Sequence, residues 1–209
     1  QYCKTNDIKQ LYHDSPTSIN FVKKKGMEKP VNVDDFNFRV AYSNEEIVAP
    51  GLKTFIISNW KKSKKTFRFM NRVTFSHDNY PFNIDLSITK YSTKQIDKWG
   101  KHSMKRVYSV GDSNVFTNPP EYEIEIEVNN KVIGPGTYVN DASVLLSSLK
   151  KVIKYVLCGL QTSSYPVSYV EMKTVMDDYM KLIWGDEYNT KKRVTNKNFI
   201  GPSSRTLQL

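Results

Sequence analysis

Three carboxylates at alternate positions, Glu123, Glu125 and Glu127, are the side chains of this chain best suited to do chemistry. Because side chains on a strand alternate between its faces, Tyr122–Val128 would place these glutamates on one face and its apolar residues on the other. Carboxylates two residues apart lie about 7 Å from each other, and each pair repels by about 0.6 kcal/mol in water. A divalent cation such as Mg²⁺ or Mn²⁺ would turn that repulsion into coordination, because hard cations prefer oxygen ligands. The alternative interpretation is an ordinary solvated strand face.

The charge balance of the chain favours a polyanionic partner. Its 209 residues include 31 Lys+Arg against 21 Asp+Glu, a formal net charge of +10. Such an excess is typical of proteins that bind nucleic acid, nucleotide phosphates or an anionic membrane surface. An acidic strand within a basic chain therefore predicts a site where metal and phosphate meet, although many lysine-rich surfaces only maintain solubility.

The cysteine and histidine content excludes other classes of site. Cys3 and Cys158 are the only cysteines, which is too few for a disulfide framework or a cysteine-based zinc site. The three histidines are scattered along the chain without metal-ligand spacing. No run of 18 apolar residues is present, so we expect a reducing, intracellular location and no membrane partner.

The elements that must position the glutamates are many strands followed by two helices. The clearest hairpin joins Thr66–Phe75 to Phe82–Lys90, because both segments alternate and turn-forming residues separate them. Other strands are predicted at Ser18–Lys23, Phe36–Tyr42, Leu52–Ser58 and Met104–Val110, with a solvated loop at Lys23–Gly26. Helical spacing then predicts one helix around residues 144–157, capped by Asn140 or Asp141, and a second at about 167–184 that Gly185 ends.

This order predicts an α+β fold with an antiparallel sheet large enough to close into a β-barrel. The sequence has no βαβ alternation, glycine-rich phosphate loop or internal repeat. Each key strand has one polar face, which would line a tunnel instead of a packed core. We expect residues 1–185 to form this tunnel domain with two C-terminal packing helices, and residues 186–209 to be a linker to a further domain.

Three segments in this order resemble a known family: Arg68–Phe75, Ile84–Lys90 and Tyr122–Val128. They are similar to the RNA triphosphatase domain of mRNA capping enzymes from large DNA viruses, which belong to the triphosphate tunnel metalloenzyme superfamily. The resemblance covers roughly residues 36–209, and residues 199–202 (Phe-Ile-Gly-Pro) resemble the segment that leads into the guanylyltransferase domain of such enzymes. It implies an antiparallel tunnel in which acidic strands hold a divalent metal while arginines and lysines grip the triphosphate.

Carried over residue by residue, the resemblance implies that Glu123, Glu125 and Glu127 hold Mg²⁺ or Mn²⁺ and that Asp85 orients a base or a metal-bound water. The implied phosphate contacts are Arg39, Arg68, Arg72 and Lys90. The implied reaction removes the γ-phosphate from 5′-triphosphate RNA, the first step of mRNA capping. The implied partners are that RNA and a downstream guanylyltransferase domain, and the implied location is the host cytoplasm or the virion of a large DNA virus.

The chain departs from the family pattern near its start. The family's first strand carries a Glu-x-Glu pair that supplies half of the metal ligands, and nothing in residues 1–35 supplies such a pair. Asp34 and Asp35 are the nearest acidic candidates, but their flanking residues match a later strand of the family better. We expect the first strand to lie upstream of Gln1; the alternative is that this copy has lost activity. Two rival functions stay open: a tunnel phosphatase acting on free nucleoside triphosphates or polyphosphate, and a non-catalytic RNA-binding or scaffold module of a viral transcription complex.

Overall fold

The computed structural model describes residues 8–14, 19–96 and 98–189, and within these ranges the fold is α+β. Several small antiparallel sheets accompany the helices. The strands are β1 Val22–Gly26, β2 Val31–Val33, β3 Phe38–Val40, β4 Ser43–Ile47, β5 Arg68–Ser76, β6 Phe82–Tyr91, β7 Lys94–Ile96, β8 His102–Met104 and β9 Glu121–Val128. The α-helices are α1 Ile8–Asp14, α2 Pro50–Ser58, α3 Ala142–Gln161 and α4 Tyr169–Trp184.

The largest sheet has three strands in the order β5-β6-β9, both pairs antiparallel. The β5–β6 hairpin and the acidic strand β9 confirm the sequence prediction for these segments. The chain turns between β5 and β6 where Tyr80 donates its backbone N–H to the carbonyl of His77. β6 lies in the centre, so it fixes the register between the basic strand β5 and the acidic strand β9.

Two-stranded sheets make up the remaining β structure of the described ranges. β1 pairs with β4, β2 with β3 and β7 with β8, all antiparallel. The chain divides into two compact units: residues 1–29 with 42–156, and residues 30–41 with 157–209. The three-stranded sheet lies in the first unit and the β2–β3 hairpin in the second. The predicted boundary between a domain at residues 1–185 and a linker at residues 186–209 stays a prediction. Of that linker, residues 190–209 lie outside the described residues.

Both long helices form where the sequence predicts them, although α3 continues to Gln161, beyond the predicted residue 157, and α4 begins at Tyr169. At the start of α3, Asp141 accepts a hydrogen bond from the backbone N–H of Ser143 at 2.8 Å, which lowers the pKa of this carboxyl. At the start of α4, Ser168 accepts the backbone N–H of Glu171 at 3.1 Å. Gly185 ends α4 with φ +55°, a conformation that favours glycine.

Other sequence predictions for local structure are wrong. Residues Leu52–Ser58 are helical in α2, not a strand, and Pro50 occupies the first helical turn, where its missing N–H has no cost. The predicted loop Lys23–Gly26 belongs to β1. The strand predicted at 36–42 is shortened to Phe38–Val40 because Asp34–Phe36 forms a 3₁₀ turn. The strand predicted at 104–110 ends at Met104, and only an isolated bridge at Val107 follows.

The predicted barrel is confirmed only at the level of an α+β fold with antiparallel sheets. Within residues 8–14, 19–96 and 98–189 the sheets are separate, and no closed barrel is formed. In the same ranges, no helix combines the length and the apolar character needed to cross a lipid bilayer.

Candidate active site on the polar face of the sheet

The register of the three-stranded sheet brings the predicted acidic and basic side chains onto one face. Asp85 on β6 lies directly opposite Thr74 on β5 and Glu125 on β9. Ser87, two residues further along β6, lies between Arg72 and Glu123 in the same way. Since residues opposite each other in a sheet share a face, this polar face carries cations on β5 and carboxylates on β9.

The polar face is the buried face of β6. Asp85 and Ser87 are each 3% exposed and Thr89 is fully buried, whereas Leu86 and Ile88 on the other face are 42% and 43% exposed. An ordinary one-sided antiparallel sheet buries its apolar face. Burial of polar groups is costly unless they are hydrogen-bonded, and among the described residues no buried side-chain nitrogen or oxygen lacks a partner. The hydrogen bonds of this face therefore offset much of the cost of burial.

Arg72 is the central cation of this face. Its guanidinium contacts Asp85 at 2.6 Å from Nη1 to Oδ2, and its Nη2 forms an ion pair with Glu125. Its Nε donates to the hydroxyl of Ser87 at 3.0 Å. Thr74 donates its hydroxyl to the other oxygen of Asp85 at 2.6 Å. One arginine thus bridges strands β6 and β9, and its planar fork of donors suits that bridge better than a lysine would.

A second ionic group lies further along the same face. Arg68 on β5 pairs with Glu123 on β9, and the phenolic hydroxyl of Tyr91 donates to the same carboxylate. Burial opposes ionisation of Glu123, but the hydrogen bond from Tyr91 and the charge of Arg68 outweigh it and lower the pKa of Glu123. Burial and the bond to Glu123 raise the pKa of Tyr91. Glu123 is therefore held as a carboxylate whose oxygens are already engaged.

Three carboxylates on this face lie close enough to share one cation. Asp85, Glu125 and Glu127 each offer an oxygen, and the three oxygens lie within 4.8 Å of one another. Ligands on opposite sides of a cation are about 4–5 Å apart when each bond is 2.1–2.5 Å long. An all-oxygen donor set suits a hard divalent cation such as Mg²⁺, Mn²⁺ or Ca²⁺. The cluster could therefore hold a metal ion, with Asp85 buried, Glu125 half-buried and Glu127 exposed.

Comparisons of the chain with models of known families, with curated proteins and with solved structures give no match.

The structure brings together most, but not all, of the predicted site residues. Glu123 was predicted as a metal ligand, but the cluster contains Asp85 in its place, and Glu123 contacts Arg68 instead. Lys90 lies opposite Phe69 in the register, on the apolar side of β6, and its Nζ donates to the backbone carbonyl of Phe116. It does not join the carboxylates.

Arg39 lies in the other compact unit. It is on β3, opposite Asn32 on β2, and lines an open depression together with Asp34, Asn37 and Phe38. Asp34, the candidate substitute for the family's first acidic pair, lies in the same unit. Neither residue is among the groups that the three-stranded sheet brings together.

Sequence reasoning missed three hydroxyl groups of the site, Thr74, Ser87 and Tyr91. Strand parity would have indicated them, because each lies at an even spacing from Arg72 or Asp85 on its own strand. Their role is to complete the hydrogen bonds of the charged groups. Alternation identifies which residues share a face, but it does not indicate which of them form pairs across strands.

Proposed function

We propose that this chain is a metal-dependent phosphohydrolase of the RNA triphosphatase type, which removes the γ-phosphate from the 5′-triphosphate end of RNA as the first step of mRNA capping. The observation that carries the proposal is Arg72, held between Asp85 and Glu125 on a buried polar face beside a three-carboxylate cluster. Phosphoryl transfer depends on positioning and charge neutralisation more than on covalent chemistry. Fixed cations next to a cation-binding cluster match that requirement.

The carboxylates divide into two roles in this proposal. Asp85, Glu125 and Glu127 hold a divalent cation, Mg²⁺ or Mn²⁺, which when bound supplies Lewis-acid polarisation of a phosphate oxygen. Glu123 is engaged by Arg68 and Tyr91, so it positions Arg68 along the path of the triphosphate. Arg68 and Arg72 bind phosphate oxygens through charge-assisted hydrogen bonds.

The fold that we propose around this site is a triphosphate tunnel. A strand wall of such a tunnel requires a polar face turned to the interior, and the polar face of β6 is its buried face. The resemblance of Arg68–Phe75, Ile84–Lys90 and Tyr122–Val128 to viral capping enzymes supports the same assignment. It also supports a downstream guanylyltransferase domain as the partner of this one and a viral transcription setting as its location.

The substitution Glu125→Gln tests the proposal, because it keeps the shape of the side chain and removes one charged ligand. We expect the release of γ-phosphate from a 5′-triphosphate oligoribonucleotide in the presence of Mn²⁺ to fall at least about 100-fold, the usual cost of losing one key electrostatic group. The measurement is phosphate release from γ-labelled RNA, with ATP and tripolyphosphate as competing substrates. A preference for ATP or tripolyphosphate over the RNA would identify a tunnel phosphatase of the general type instead.

The matched control is Glu46→Gln, which removes an exposed carboxylate from β4. It should retain full activity. Undiminished metal-dependent hydrolysis by Glu125→Gln would overturn the site assignment.

The competing function is a non-catalytic RNA-binding module, and one observation favours it. The arginines of the polar face already form ion pairs with carboxylates of the same face, so both guanidinium groups have a structural role without any ligand. This function predicts RNA affinity that weakens with salt and no phosphate release under any metal condition.

A further inference from the structure

A second charged surface includes the residues just before β5 and contains no carboxylate. Residues 59–66 carry four lysines, and residues 105–108 add Lys105 and Arg106; neither segment contains an acidic residue. The two segments pair through an antiparallel bridge between Lys65 and Val107, with backbone N–O distances of 2.8 and 2.9 Å. They therefore form one surface although about 40 residues separate them in sequence.

Lys65 holds this surface together and is not part of its exposed charge. Its ammonium donates to the carbonyl oxygens of Trp60 at 2.6 Å, Ser63 at 2.7 Å and Tyr108 at 2.8 Å. Burial lowers the pKa of Lys65. Three carbonyl contacts use all the donors of one ammonium group, so Lys65 fixes the position of its neighbours.

Cationic side chains near Lys65 in the two segments are exposed, and one exposed aromatic ring lies among these residues. The side chains concerned are exposed, and they are Lys61, Lys62, Lys64, Lys105 and Arg106. Tyr108 is 51% exposed, and the Nζ of Lys64 lies 5.5 Å from the centroid of its ring. An aromatic face among closely spaced cations is the arrangement by which proteins bind single-stranded nucleic acid, stacking a base while pairing its phosphates.

This basic surface adjoins the polar face of the sheet along the chain. Arg68, the first residue of β5, is three residues from Lys65, or about 10 Å along an extended chain. The intervening Phe67 exchanges hydrogen bonds with Ser92, the residue that follows β6. The side chain of Arg68 is itself 35% exposed. A strand whose 5′ end lies on the polar face could therefore continue directly over Tyr108.

We infer that the surface formed by residues 59–66 and 105–108, the basic surface, binds the body of a single-stranded RNA. The inference rests on the proposed function in taking RNA as the polyanion whose 5′ end reaches the carboxylate cluster. The exposed cations contact phosphates of the first nucleotides, and Tyr108 stacks on a base. The surface thereby distinguishes triphosphate-ended RNA from free nucleoside triphosphate, which is too short to reach it.

The test compares two triple variants of the 209-residue chain with equal loss of charge. In the first, Lys61, Lys62 and Lys64 are replaced by glutamine; in the control, Lys23, Lys24 and Lys25 on the exposed strand β1 are replaced. The measurement is fluorescence anisotropy with a single-stranded, 5′-hydroxyl oligoribonucleotide over a range of salt concentrations. A plot of the logarithm of the binding constant against the logarithm of the salt concentration has a slope that counts phosphate contacts. The magnitude of this slope should fall by roughly 2 in the first variant, since each of three lost contacts contributes about 0.7 for a single strand. That change corresponds to about 100-fold weaker RNA binding at 0.1 M salt. The control should change neither the slope nor the RNA affinity.

The stacking interaction is tested separately with Tyr108→Ala and its control Tyr42→Ala. Only the ring is removed, so the carbonyl of Tyr108 still accepts from Lys65. We expect about tenfold weaker RNA binding with an unchanged salt slope for Tyr108→Ala, and no change for Tyr42→Ala, whose ring is also exposed. Thermal unfolding of each variant confirms that it is folded.

Two results would overturn the inference. Equal weakening of RNA binding in both triple variants would show that only net charge matters. Loss of binding to anionic phospholipid vesicles with RNA binding intact would identify a membrane contact. The 5′-hydroxyl RNA requires no hydrolysis, so this experiment can fail while phosphate release persists, or succeed when phosphate release is absent.

Discussion

Arg72 forms ion pairs with two of the carboxylates that could hold a metal, so Arg72 and a metal ion compete for the same oxygens. Its guanidinium occupies oxygens of Asp85 and Glu125, two members of the three-carboxylate cluster. A cation entering the cluster must therefore compete with Arg72. Once displaced, the guanidinium becomes available to a phosphate, so metal and triphosphate should favour each other's binding.

Arg72→Gln should therefore strengthen metal binding while it weakens hydrolysis. Removing a unit positive charge that contacts two carboxylates of the cluster favours a bound divalent cation, by roughly 2 kcal/mol for a separation of about 5 Å even at the dielectric constant of bulk water. We expect at least a fivefold lower Kd for Mn²⁺ in calorimetric titration without phosphate. Arg106→Gln, an equal charge change on the basic surface, is the control and should leave the Kd unchanged. A weaker Mn²⁺ affinity in Arg72→Gln would show that Arg72 organises the cluster instead of competing for it.

The sequence predicted which side chains share a face of a strand better than it predicted which side chains pair across strands. Alternation correctly placed Arg68 with Arg72, and the three glutamates of β9 together, because strand parity depends only on spacing. It could not indicate that Glu123 contacts Arg68 while Asp85 joins the cluster, because that depends on the register between strands distant in sequence. Strand alternation alone does exclude Lys90 from the polar face, since Lys90 lies an odd number of residues from Asp85 on the same strand.

At the scale of elements, helices and strands with clear sequence periodicity were predicted correctly, and a segment without clear periodicity was not. The β5–β6 hairpin, β9, α3 and α4 combine clear periodicity with turn or capping residues. Helix α2 was predicted as a strand because it is a short apolar run, and such a run does not distinguish the two structures. The decisive signal was Pro50 at its start, a residue favoured in the first turn of a helix.

The cap of α4 allows an element-scale prediction. Ser168→Ala removes the acceptor for the backbone N–H of Glu171, so we expect a loss of about 1 kcal/mol in the free energy of unfolding. The matched control is Ser147→Ala within α3, where the same replacement raises helix propensity and should stabilise slightly. Urea denaturation followed by circular dichroism measures both. Equal effects of the two substitutions would mean that the hydroxyl of Ser168 does not cap the helix.

At the scale of the whole molecule, the unusual property is which side of the main sheet is buried. Large apolar side chains on the face of Leu86 are exposed, among them Val73 at 56% and Phe75 at 52%. Alternation predicted that each key strand has one polar face and that this face is turned inward, and the burial of Asp85 agrees with it. The predicted closure into a tunnel is not found among residues 8–14, 19–96 and 98–189. Closure depends on strand tilt and stagger across the whole sheet, which alternation does not specify.

Two neighbouring residues of β6 test whether the polar face of the sheet is the buried one, because their side chains point to opposite faces. Ser87→Leu puts a large side chain on the buried polar face and removes the acceptor for Arg72, so we expect a loss of about 2–4 kcal/mol in the free energy of unfolding. Leu86→Gln changes a side chain that is 42% exposed and should cost about 1 kcal/mol or less. Denaturant unfolding of both variants measures the difference. The opposite ranking would mean that the apolar face is the interior in solution. Asp85 and Glu125 would then face water, where a cluster of carboxylates needs no cation, and the phosphohydrolase proposal would lose its site.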